Sequence, residues 1–189
     1  MSLFSSHRER RLWIWTAVVV VAIFSTLGLA RTLAVSLGDN SLIGAGLFLV
    51  ACLMVLAAVV TQGLTTRPSG PEIGVALGVA AAYLLVFVRM SVPTERSHLV
   101  EYGVVAVFIY EALKERASQG RRVWSPALLA IVATSAIGVL DECVQLLLPS
   151  RVFEWVDILF NVLAAVMAVA TCGALAWARR LATRIDQRK

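Results

Sequence analysis

The chain has 189 residues, of which 59% are hydrophobic and 15% charged, with a formal net charge of +5 and a mean hydropathy of +0.83. Water-soluble domains carry about 25% charged and about 45–50% apolar residues, so the composition excludes an ordinary soluble domain and points to a polytopic membrane protein of the cell membrane. The positive charge comes with no nucleic-acid-binding motif, and membrane orientation accounts for it.

The fold expected is all-α: a transmembrane bundle of six helices, each near the ~20 residues that cross a bilayer. In chain order they cover about 12–37, 42–64, 71–90, 98–115, 125–148 and 157–178. The first follows His7-Arg8-Glu9-Arg10-Arg11 and at first sight resembles a signal peptide. Its apolar run exceeds the usual ~7–15-residue core of such peptides and reads as an uncleaved span. The breaks fall at Gly38-Asp39-Asn40, Arg67-Pro68-Ser69-Gly70-Pro71, Pro93, Ser118-Gln119-Gly120 and Pro149-Ser150-Arg151. Pro and Gly at such points end helices. The third helix carries Gly70, Gly74 and Gly78 at four-residue spacing, which suits close packing in lipid. The fourth is the least apolar, with Glu101 and Glu111 inside it. The cysteines Cys52, Cys143 and Cys172 read as small buried hydrophobes. The five tryptophans lie near expected helix ends, as in an interfacial aromatic belt. Residues 1–70 read as a two-helix extension, 71–180 as a four-helix membrane domain and 181–189 as a basic tail.

Charge orients the spans. Arg8, Arg10, Arg11, Arg67, Lys114, Arg116, Arg121, Arg122, Arg179, Arg180, Arg184, Arg188 and Lys189 fall on one side. Arg31, Arg89, Arg96 and Arg151 fall on the other. The positive-inside rule places the larger group, and with it both termini, in the cytoplasm.

The polar residues with chemical potential then gather on the extracytoplasmic side. Asp141, Glu142 and Gln145 interrupt the apolar fifth helix, and Asp157 and Asn161 open the sixth. An ionised side chain at a membrane-helix centre costs about 2.5–3.5 kcal/mol even on lenient scales, so these residues are expected to face a protein interior and find partners. Asp141 and Gln145 share a helix face, as do Asp157 and Asn161, and His98 and Tyr102. Gly138 stands one turn before Glu142 and admits a close neighbour. Arg89 and Arg96 flank the preceding outer connection. The outcome expected is a polar pocket opening outward between helices.

At these positions the chain resembles the VanZ-like family of bacterial membrane proteins. The pattern is an acid and a glutamine near a helix end, an arginine after a short turn, then aspartate and asparagine opening the last helix: Glu142, Gln145, Arg151, Asp157 and Asn161, with Asp141 beside Glu142. The family's earlier His-and-Tyr helix is similar to Ser97-His98-Leu99-Val100-Glu101-Tyr102, preceded by basic Arg96. The resemblance covers about residues 90–175. It departs at Ser150 and at Ala164, Ala165 and Ala168, where the family often has glycine. It implies a membrane protein of a family named for a member that protects against the glycopeptide teicoplanin; it implies no reaction.

Three functions fit the residues. The pocket could bind a membrane-lipid or lipid-linked cell-wall or polysaccharide headgroup, with Arg89, Arg96 and Arg151 offering bidentate donors to phosphate. It could be an intramembrane enzyme in which Asp141, Glu142, His98 and Asp157 act as acid, base or metal ligands. The spacing matches no standard metal motif, and neither cofactor nor metal is expected. The acids could form a proton relay for transport, although no path through the cytoplasmic half is visible. Beside these stands a purely structural network locking the helices together.

Overall fold

The computed structural model describes residues 3–36, 69–89, 93–147 and 154–187. Among these residues there are five helices and no strand: α1 His7–Ser36, α2 Gly70–Arg89, α3 Pro93–Ser118, α4 Pro126–Gln145 and α5 Trp155–Asp186. The helix expected over 42–64 lies outside the described residues.

Helix boundaries follow local chemistry. α3 starts at Pro93, five residues earlier than expected, because proline suits the first helical position, where no N–H is needed. It ends through Gly120, whose φ of 78° lies in the left-handed region. There Arg121 N–H reaches back to Arg116 O at 3.3 Å and Gly120 N–H to Ala117 O at 3.1 Å. Ser125 caps α4, its side chain accepting from Leu128 N–H at 3.3 Å, and Pro126 follows as the first helical residue. α5 continues past the expected end at 178 to Asp186, since Arg179, Arg180 and Arg184 are good helix formers and no Gly or Pro interrupts them.

The chain divides into two compact units, Met1–Ala30 with Val92–Ala170, and Arg31–Ser91 with Thr171–Lys189. In the first, Ile23 of α1, Val105, Ala106 and Ile109 of α3, Ala130 of α4, and Ala165, Ala168 and Val169 of α5 form one core. Small residues let the helices meet closely. A Cβ on Gly103 would lie 4.0 Å from Ala168 Cβ, whereas one on Gly138 would lie 2.8 Å from Asn161 Cβ.

α4 and α5 are long and apolar enough to cross a membrane, and 28% of each apolar window is buried. Their polarity is inverted relative to a helix on a water-soluble core. α4 buries Ala130, Thr134, Gly138, Asp141, Glu142 and Gln145 and exposes Leu128, Leu129, Val132, Val139 and Leu140. α5 buries Asn161, Ala164, Ala165 and Ala168 and exposes Trp155, Leu159, Leu163 and Val166.

Charged residues gather where α1 begins and α3 ends. Arg8 pairs with Glu111 at 3.1 Å and Glu115 at 3.3 Å, and Arg116 with Glu9 at 3.5 Å. Ser6 Oγ donates to Glu115 at 2.9 Å. Glu9 is fully buried. Burial works to raise its pKa, but Ser5, donating through both hydroxyl and backbone N–H, together with the Arg116 charge, outweighs it and holds the carboxyl below its ordinary value. A recess of about 660 Å³ at the same end of α3 is lined by Arg116, Arg121, Arg122 and Trp124 among others.

In the second unit, Arg179 Nε of α5 lies 3.8 Å from Glu72 Oε2 of α2. Among the described residues nothing approaches within 4 Å of a Cβ placed on Gly70, Gly74 or Gly78, so no described neighbour fills that stripe.

Candidate functional site

The site belongs to the first unit, at the end of α3 opposite the Arg116 cluster. His98 and Arg116 stand 18 positions apart on one helix, about 27 Å at 1.5 Å per residue. That separation is close to the ~30 Å hydrocarbon thickness of a bilayer.

Three helices build the site. α3 contributes His98 from its second turn and Tyr102 one turn further on. Their rings stack with centroids 5.7 Å apart and planes inclined by 19°. α4 contributes Asp141, Glu142 and Gln145 from its last turn. Gln145 Nε2 donates to Glu142 Oε1 at 2.9 Å and lies 3.4 Å from Asp141 Oδ2, so one amide holds two neighbouring carboxylates. α5 contributes Asp157 and Asn161. His98 Nε2 faces Asp157 Oδ2 at 3.6 Å. The chain entering α5 closes the site from above: Glu154 N–H points at Glu142 Oε2 from 3.4 Å.

Burial makes this cluster chemically unusual. Tyr102, Asp141, Glu142 and Asn161 are fully enclosed, and His98 and Gln145 nearly so. Asp157 retains 13% of its side-chain surface. Among the described residues several enclosed atoms have no hydrogen-bond partner: His98 Nδ1, Asp141 Oδ1, both amide atoms of Asn161, and the hydroxyl of Tyr102, which lies beside the Asp141 carboxylate. Among the described residues neither Asp141 nor Glu142 has a lysine or arginine within ion-pair distance. Unpartnered buried polar groups cost about 1–3 kcal/mol each, so the described residues alone leave this cluster incompletely satisfied.

Gly138 positions Asn161. A Cβ at Gly138 would meet Asn161 Nδ2 at 2.7 Å, Cβ at 2.8 Å and Cγ at 3.0 Å. Only glycine lets α5 pass this close to α4, and the contact sits one turn below the acidic pair.

Of the residues expected at the site, His98, Tyr102, Asp141, Glu142, Gln145, Asp157 and Asn161 come together. Arg89 is exposed in the last turn of α2, in the other unit. Arg151 and the side chain of Arg96 lie outside the described residues. Cys143, expected to be a buried apolar thiol, is exposed and free: it shares neither the Asp141 nor the Glu142 face and turns outward. Cys172 is half-buried and forms no disulfide, and Cys52 is outside the described residues. Thr134 and Ser135, with buried unpartnered hydroxyls one to two turns below the acids, were not among the expected residues. Their place at i−4 and i−3 from Gly138 is the signal that marks Thr134 as sharing its face. No family model, curated protein or solved structure matches the chain.

Proposed function

We propose that this chain is a VanZ-like, multi-pass protein of the cell membrane with about six spans and cytoplasmic termini, whose outward polar pocket binds the headgroup of a lipid-linked cell-envelope precursor. One observation carries the reading. Seven polar side chains from three helices converge at one end of a bundle whose outer surface is apolar, and among the described residues five enclosed atoms of His98, Tyr102, Asp141 and Asn161 lack partners. A structural network would satisfy itself; a binding site leaves donors and acceptors for its ligand. The inverted polarity of α4 and α5 and the ~27 Å between His98 and Arg116 support a membrane setting. Arg116, Arg121 and Arg122 at the far end suit the anionic cytoplasmic leaflet. The family resemblance supports the cell-envelope context, and Arg96 and Arg151 are the expected phosphate ligands.

The test uses near-isosteric variants. Glu142→Gln and Asp157→Asn keep size and remove charge; Arg151→Lys keeps charge and loses the guanidinium fork. Each is expected to express and melt close to the parent yet to bind a polyprenyl-phosphate headgroup at least tenfold more weakly, and to lose any lowered sensitivity to lipoglycopeptides that the parent confers. Undiminished binding by all three, or loss that simply tracks instability, would favour a structural network. The His98–Asp157 pair at 3.6 Å favours a second reading, an acid/base enzyme on the same lipid. Turnover by purified protein separates it from binding.

A further inference from the structure

We infer that the pocket holds a divalent transition-metal cation, Zn²⁺ or Mn²⁺, ligated by His98, Glu142 and Asp157. The inference rests on the pocket being a binding site and states what occupies its floor. One ligand atom from each of these residues lies within 4.8 Å of the other two. Ligands at about 2.0–2.2 Å around a tetrahedral zinc stand about 3.4 Å from one another. The His98–Asp157 pair at 3.6 Å already meets that spacing, and rotation about the three side-chain bonds of Glu142 supplies the remaining closure.

The donor set is that of an open site. One imidazole with two carboxylates is mixed nitrogen and oxygen ligation, which suits Zn²⁺ and Mn²⁺ better than the all-oxygen cages of Ca²⁺. Three protein ligands leave a fourth position free, as in catalytic or substrate-binding zinc sites. The local charge suits such an ion. Asp141 and Glu142 are adjacent, fully buried and, among the described residues, without a basic partner. Two uncompensated carboxylates in a dry site are unfavourable, and a divalent cation neutralises both at once.

A second observation comes from neighbouring groups that are not acids. Among the described residues the enclosed His98 Nδ1, the hydroxyl of Tyr102, whose ring stacks on that of His98, and the Asn161 amide remain unpartnered around the cluster. They are placed to accept from and donate to metal-bound water or to the oxygens of a phosphate bound at the open position. Gln145, bonded to both Asp141 and Glu142, acts as a positioning residue that aims the Glu142 carboxylate.

The test is a metal titration of the full chain, purified without a polyhistidine tag, stripped with a chelator and free of lipid phosphate. Zn²⁺ and Mn²⁺ are added against a competing fluorescent chelator, stoichiometry is read by elemental analysis, and Co²⁺ replaces the ion for a visible spectrum. The expected result is one ion per chain and a four- or five-coordinate Co²⁺ band. Affinity should fall at least 100-fold in His98→Gln, Glu142→Gln and Asp157→Asn, and about 10-fold in Gln145→Leu. His7→Asn, which removes the chain's other histidine, should bind as the parent does. Melting curves without metal identify any variant that fails to fold, and the Gln145→Leu effect is then the decisive comparison. Absence of binding at micromolar metal, or equal binding by parent and Glu142→Gln, would overturn the inference. Because no lipid phosphate is present, a failed titration leaves the headgroup reading standing, and headgroup binding that survives metal removal refutes only the cation.

Discussion

Replacing Gly138 by alanine tests the packing that holds the site together. The new Cβ would lie 2.7 Å from Asn161 Nδ2, 2.8 Å from Asn161 Cβ and 3.0 Å from Cγ. The amide end can swing aside, but Asn161 Cβ is tied to the backbone, so α5 itself must retreat from α4. Overpacking of this kind costs about 1–3 kcal/mol, against a gain of about 1 kcal/mol from exchanging glycine for alanine inside a helix. The net expectation is a loss of about 1 kcal/mol. Gly103→Ala is the control, because its Cβ would meet only Ala168 Cβ, at 4.0 Å, and should keep the whole propensity gain. The two variants should therefore differ by about 2 kcal/mol, or about 6 °C at about 3 °C per kcal/mol for a chain of this size. Thermal unfolding in a single detergent, followed by tryptophan fluorescence, measures this. Adding Asn161→Gly removes all three clashing atoms, so the double variant should be more stable than the sum of the single changes predicts. Asn161→Ala leaves the 2.8 Å contact and should rescue less. Gly138→Ala and Gly103→Ala melting together, or additive behaviour of the pair with Asn161→Gly, would refute the close approach of α4 and α5.

Other expectations follow from the same structure. Glu9 has a folded-state pKa below its ordinary value of 4.5, so its contribution to stability is complete above that pH and is lost as pH falls through the lowered value. Melting temperature should drop more steeply in the parent than in Glu9→Gln as pH falls below 4.5; parallel curves would contradict the Ser5 and Arg116 contacts. Thr134→Val replaces a buried, unpartnered hydroxyl with a methyl of similar shape and should leave stability unchanged or raise it by about 1 kcal/mol, whereas a loss above about 1 kcal/mol would reveal a missing partner. The proposed six-span topology with cytoplasmic termini is tested separately: in a background lacking Cys52, Cys143 and Cys172, an impermeant thiol reagent applied from outside should label cysteine at Ser150 and miss it at Ser69 and Ser118. Labelling at Ser118 without Ser150 would invert the orientation.

Much of this chain is written in local sequence. Helix existence is set by long apolar runs, and helix ends by Ser125-Pro126, Pro93 and Gly120, because capping and backbone preferences act over a few residues. Asp141, Glu142, Gln145, Asp157 and Asn161 stand out in sequence because charge inside an apolar run is costly wherever the chain folds, and i, i+4 spacing places them on shared faces. Tertiary structure decided everything that depends on distance between helices. The 3.6 Å approach of His98 to Asp157 and the seating of Asn161 against Gly138 join helices that have no regular separation along the chain. A metal-ligand trio drawn from three helices has no sequence spacing to recognise. The outward turn of Cys143 beside the inward turn of Glu142 came from the rotation of α4 about its axis, which follows from which neighbours its small residues admit. The same holds for Gly138: the helix lying against it, not its sequence context, makes its missing side chain matter.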